Sequence, residues 1–124
     1  MVRLGVRKWE HEASSVIDHV LSFIDAYKEK KVLGLFISTS INIRTNWQFF
    51  ILNRESWVGS SVAVVPLTIK QYCHLIEKIY DKNINIIDFI KLLFEIHNIA
   101  LQSENFNVWN EKANKKITEW INCY

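Results

Sequence analysis

Two short runs constrain this chain more than anything else in it. "VLGLFIS" (Val32–Ser38) and "SVAVVPL" (Ser61–Leu67) are apolar at odd and even positions alike. A strand with one wet face alternates apolar and polar residues. A strand apolar on both parities is covered on both faces, as in a parallel sheet. Between the runs, "TNWQFFILNRE" (Thr45–Glu55) has helical length, with Trp47, Phe50 and Ile51 on one side and Thr45 placed to cap it; "SWVGS" then reads as a turn. Strand, helix and strand predict a right-handed parallel crossover. Pro66 should close the second strand, because proline cannot donate to a central ladder.

Helical periodicity fills the rest. From Trp9 to about Tyr27, Val16, Ile17, Val20, Leu21 and Ile24 recur at steps of three and four. Thr68 and Gln71 form a capping-box pattern, opening a helix with Ile69, Tyr72, Cys73, Ile76, Ile79 and Tyr80 inward. Asn85 to Asp88 looks like another helix start, with Ile86, Ile87, Ile90, Leu93, Phe94 and Ile96 inward. A last helix, within residues 100–124, places Phe106, Trp109, Ala113, Ile117, Trp120 and Ile121 at helical spacing. The expected fold class is α/β, with two buried strands in a βαβ unit covered by about five helices.

Two such strands need neighbours, since a two-stranded sheet is marginal in water. Either "MVRLGV" adds a short strand, or another chain covers an edge, or the unit belongs to a larger fold. With 124 residues, three glycines and one proline, the chain reads as one packed domain, 1–124. A net charge of +2 does not by itself argue for a polyanion partner. Cys73 and Cys123 lack metal-ligand spacing and read as reduced thiols of a cytoplasmic protein, with Cys73 in the core. No signal peptide or membrane-length apolar run is present.

Catalytic patterns are sparse. His11, His19, His74 and His97 form neither an HExxH nor a close pair with cysteine, so no metal site is expected from them. There is no GxSxG, Walker loop or glycine-rich nucleotide fingerprint. Gly34, inside a strand, marks close packing instead. A metal-dependent nuclease needs carboxylates and a lysine around one strand end. Glu29 and Lys31 have the acid-x-lysine spacing, but they precede the first strand and read as a solvated connection.

The strand-to-helix turn offers a different kind of site. Arg44, Thr45 and Asn46 follow the first strand, and Lys70 follows the second. Parallel strands would bring both groups to one sheet end, where Arg, Asn, Thr and helix amides suit phosphate. The plain alternative is a polar turn.

"KVLGLFISTSINIRTNWQFF" followed by "VAVVPLTIKQY" resembles the C-terminal half of the nuclease domain of AlwI-type type IIS restriction endonucleases and related nicking enzymes. The cleavage domain of FokI is similar more loosely. The likeness runs from about Trp9 to Phe94, carried mostly by Leu-Gly-Leu-Phe-Ile and Val-Pro-Leu-Thr. It implies a PD-(D/E)xK fold, with a mixed sheet between helices, and Mg²⁺-dependent hydrolysis of duplex DNA. It further implies cleavage paired between two subunits or domains. The family's catalytic acids lie upstream of the matching region, so no catalytic or metal-binding residue is carried over. The expectation is a partial restriction-endonuclease-like fold, inactive by itself. From another class comes a small interaction module that homodimerises through a sheet edge or through the helix bearing Trp109 and Trp120.

Overall fold

The computed structural model describes the backbone from Val6 and side chains from Ser15. The expectation of a strand in "MVRLGV" falls outside the described residues, apart from Val6, which opens a helix. Described helices are α1 (Val6–Ala26), α2 (Ile43–Arg54), α3 (Ile69–Asp81), α4 (Ile86–Gln102) and α5 (Phe106–Cys123). The strands are β1 (Leu33–Ser38), β2 (Ser56–Trp57), β3 (Ser60–Ser61) and β4 (Ala63–Thr68). Residues 100–102 therefore complete α4, and the last helix begins only at Phe106.

The strands β1 and β4 pair in parallel, from Leu33 against Ala63 to Ser38 against Thr68. This is the expected βαβ pairing. The "SWVGS" turn is itself a small antiparallel hairpin of β2 and β3. Its two loop residues, Val58 and Gly59, have φ of 48° and 83°, which suits a primed hairpin turn.

Asn53 explains how β4 is finished. Its Nδ2 donates to Val64 O at 2.7 Å and its Oδ1 accepts from Val64 N at 3.1 Å. Neighbouring residues in a parallel strand direct their polar groups to opposite edges. Val64 therefore faces outward, and so does Pro66, two residues on. Proline has no amide proton to lose there. That corrects the expectation that Pro66 ends the strand: β4 continues to Thr68 and pairs Pro66 with Phe36. The same register turns the backbone groups of Leu33, Leu35 and Ile37 to the far edge of β1. No described strand pairs with that edge.

Helix α1 crosses β1 at Gly34. A β-carbon there would lie 2.4 Å from Val20 Cγ2, so the glycine does permit a close approach. The core joins Val20 and Ile24 of α1 to Val64, Val65 and Leu67 of β4, with Leu92, Ile96 and Trp109 from the last two helices. Burying a side chain of this size contributes roughly 1.5–3 kcal/mol. Trp109 Nε1 donates to Ile96 O at 3.0 Å, which satisfies the buried indole. Arg54 donates to Ala100 O at 2.9 Å and to Ser103 O, closing the C-terminal end of α4.

Several expected inward faces are turned. β4 is buried on both faces, but β1 is only half covered: Leu35 is half-buried and Ile37 is exposed. In α2 the buried line is Thr45, Phe49, Phe50 and Asn53, leaving Trp47 and Ile51 exposed. Two polar residues take core positions there, so apolar periodicity points the wrong way. α3 buries Leu75 and exposes Ile69, Ile76 and Tyr80; Cys73 is exposed, against the core expectation. α4 buries Phe89, Leu92, Leu93, Ile96, His97 and Ala100, leaving Ile86, Ile87 and Ile90 outside. These helices carry apolar residues on more than one face, and packing against the sheet selects which face goes in. α1 and α5 bury the expected residues.

Candidate nucleic-acid interface

In-register pairing fixes the geometry of the polar sheet end. β1 and β4 finish together at Ser38 and Thr68. The helices that follow therefore start at the same end. Asn42, not Thr45, caps α2: its Oδ1 accepts from Arg44 N at 2.8 Å. At α3 the capping box forms in both directions, with Gln71 N donating to Thr68 Oγ1 at 3.1 Å and Thr68 N to Gln71 Oε1 at 3.0 Å.

The four sequence-derived contacts separate on this frame. Arg44 and Lys70 are exposed near the starts of their helices. Thr45 is only 2 % exposed and faces the core. It therefore presents no hydroxyl to a phosphate, because it lies on the inward line with Phe49 and Asn53. Asn46 is half-buried and its Nδ2 donates to Asn110 Oδ1 at 3.2 Å. Its Oδ1 is buried with no partner among the described residues.

Asn110 and Asn114 lie one turn apart on α5. Asn114 Oδ1 accepts from Gln71 Nε2 at 2.9 Å. These amides line a cleft of about 450 Å³ at the sheet end, over a floor that includes Pro66 and Trp109. Among the described residues, no ionisable side chain lines it. Arg44 and Lys70 put positive charge at this end, beside a neutral, amide-rich cleft. Such a surface can hold a polyanion by its cations and hydrogen-bond a neutral group between them.

Sequence reasoning did not single out these α5 asparagines. Their only signal was a spacing of four on an amphipathic helix, the side-by-side position.

A match to a family model decides the relation. The model described as AlwI restriction endonuclease matches residues 3–75, more than half of the chain. The chain belongs to the AlwI restriction endonuclease family. The match takes in α1, the βαβ unit and the first half of α3, including Arg44, Asn46 and Lys70. It starts before the expected Trp9 and stops short of the expected Phe94. No curated protein and no solved structure matches this AlwI-family chain.

AlwI-family membership raises the question of Mg²⁺. Among the described residues, no group of three His, Cys, Asp or Glu could hold a metal ion. Glu29 and Lys31 lie in the exposed turn before β1, at the sheet end opposite Arg44 and Lys70. The described side chains do not fit a catalytic magnesium, and no step of hydrolysis is derived from them. No described helix is long and apolar enough to cross a membrane.

Proposed function

We propose that this chain provides the strand–helix–strand part of a restriction or nicking endonuclease that hydrolyses duplex DNA with Mg²⁺. In this reading it is the C-terminal part of the nuclease domain. The carboxylates that hold the metal come from strands seated along the open edge of β1. They lie on another segment or another polypeptide, and the described unit does not cleave by itself. It works in the cytoplasm, a reading that its two free thiols support.

The asymmetry of the sheet carries this reading. Asn53 and Pro66 close the outer edge of β4, whereas Leu33, Leu35 and Ile37 turn outward ladder groups that no described strand matches. Bare strand edges attract further strands. A groove of about 680 Å³ between α1 and β1, lined in part by Phe23, Tyr27 and Leu35, leaves room beside that edge. Family membership supplies the substrate class.

Arg44 and Lys70 contact the DNA backbone, and Asn46 stands beside them. Phosphate contacts position a duplex and carry no sequence information directly. Binding of a duplex should therefore weaken with salt. Arg44→Ala and Lys70→Ala should each lower the slope of log affinity against log salt by about 0.9. Identical slopes in wild type and both variants would remove this site. Supercoiled DNA with Mg²⁺ tests the second half: nicking by the isolated chain that disappears in Glu29→Ala would overturn the proposed inactivity.

A second reading is homodimerisation at the same edge, which the exposed Phe23 and Tyr27 favour. In the version that uses the helix of Trp109 and Trp120, Trp109 is buried with its Nε1 bonded within the fold, so the contact would fall to the half-buried Trp120. Sedimentation at rising concentration separates a monomer that binds DNA from a dimer that does not.

A further inference from the structure

At the other end of the sheet, where β1 and β4 begin, lies a cavity of about 370 Å³ that the DNA reading does not use. His97 lines it and is only 5 % exposed. Its Nδ1 lies 2.7 Å from Asn53 Oδ1. The orientation of that amide is determined by its other bonds. Nδ2 donates to two carbonyls, Phe49 O and Val64 O, and Oδ1 accepts from Val64 N. Oδ1 can only accept, so His97 Nδ1 must donate. The neutral ring then carries its lone pair on Nε2. Burial holds His97 toward this neutral form.

Lys28, Lys30 and Lys31 border the same cavity against one acid, Glu29. Lys31 Nζ sits 5.8 Å from the centre of the Phe94 ring, which also lines the space. Ser60, Ser61 and Asn98 add hydrogen-bonding groups. An anion is attracted by the lysines. A neutral imidazole with a free lone pair asks in addition for a proton donor. A phosphodiester has no such donor at neutral pH. A phosphate monoester keeps one at and below its second ionisation, near pH 6, and inorganic phosphate, a weaker acid at that step, keeps it there too.

We propose that this cavity binds a phosphate monoester group, with Lys28 and Lys31 holding its charge and His97 Nε2 accepting its P–OH proton. The site is independent of the proposed DNA contacts and lies at the opposite sheet end.

Titration of the full chain with inorganic phosphate near pH 6, followed by long-range ¹H–¹⁵N NMR of the histidine rings, tests it. The His97 Nε2 signal should move and saturate. Sulfate, which has no proton to give at that pH, should bind about tenfold more weakly, as expected for one lost hydrogen bond. Lys31→Met should weaken phosphate by a similar factor, while the unliganded His97 signals stay in place and report an intact fold. Oligonucleotides with and without a 5′-phosphate identify the source: tighter binding of the phosphorylated strand than of free phosphate assigns a strand end, and equal binding assigns the group alone. An unmoved Nε2 signal, equal responses to phosphate and sulfate, or unchanged binding in Lys31→Met overturns the proposal.

Discussion

Asn53 holds Val64 by both of its backbone polar groups, at 2.7 Å and 3.1 Å, as a neighbouring strand would. The same amide also reaches Phe49 O and His97 Nδ1. One side chain thus stitches α2, β4 and α4 together at a point from which water is excluded.

Replacing Asn53 should therefore cost far more than an average substitution. Asn53→Ala strands the Val64 amide, the Val64 carbonyl and the His97 ring in the core. Each buried unmet group costs about 1–3 kcal/mol, so a loss of about 4 kcal/mol is expected. Urea unfolding measures it. A loss under about 1 kcal/mol would mean that water or a shifted backbone replaces the amide.

Gly34 should tolerate no side chain while Val20 stays where it is. A methyl group there meets Val20 Cγ2 at 2.4 Å. Gly34→Ala should cost about 1–3 kcal/mol through overpacking. The cost should shrink in a Val20→Ala background, where the clashing carbon is gone. Strict additivity of the two substitutions in a double-mutant cycle would show that they do not meet.

His97 should make stability sensitive to acid. Burial lowers its pKa from the ordinary 6.5. In the unfolded chain it takes up a proton below about 6.5, whereas in the folded chain it stays neutral to lower pH. The unfolded state then binds more protons, so stability holds above the unfolded value and falls as pH drops below it. Unfolding free energies at pH 7.5 and pH 6, in phosphate-free buffer, should differ more in wild type than in His97→Gln. Equal differences would show that His97 does not couple to folding.

Much of this architecture was legible before folding. The runs "VLGLFIS" and "SVAVVPL" announced two parallel strands because residues apolar on both parities have nowhere else to go. Thr68 and Gln71 announced a helix start because capping is local chemistry within four residues. The strand–turn–helix with Arg44 was also visible, as was the resemblance that the family match now supports.

The inward faces were less legible. α2 hides Thr45 and Asn53 and shows Trp47 to solvent. Hydropathy cannot foresee that a polar amide will be buried, because its partners on β4 and α4 are remote in the chain. Thr45 was misread for the same reason, and Cys73 was assigned to the core from a helix whose several apolar residues permit more than one inward face. The asparagines of α5 carry only a spacing of four and the cavity beneath His97 has no sequence signature, since the cleft and the cavity are each assembled from segments far apart.

Sequence alone determined the order of the main elements, the two parallel strands, the Thr68–Gln71 capping box and the family, because these depend on neighbouring residues and on periodicity. Tertiary structure decided which helix faces are buried, which sheet edge is sealed and which residues share each end of the sheet. Those outcomes rest on hydrogen bonds and packing between residues distant in the chain, such as Asn53 with Val64 and Gly34 with Val20.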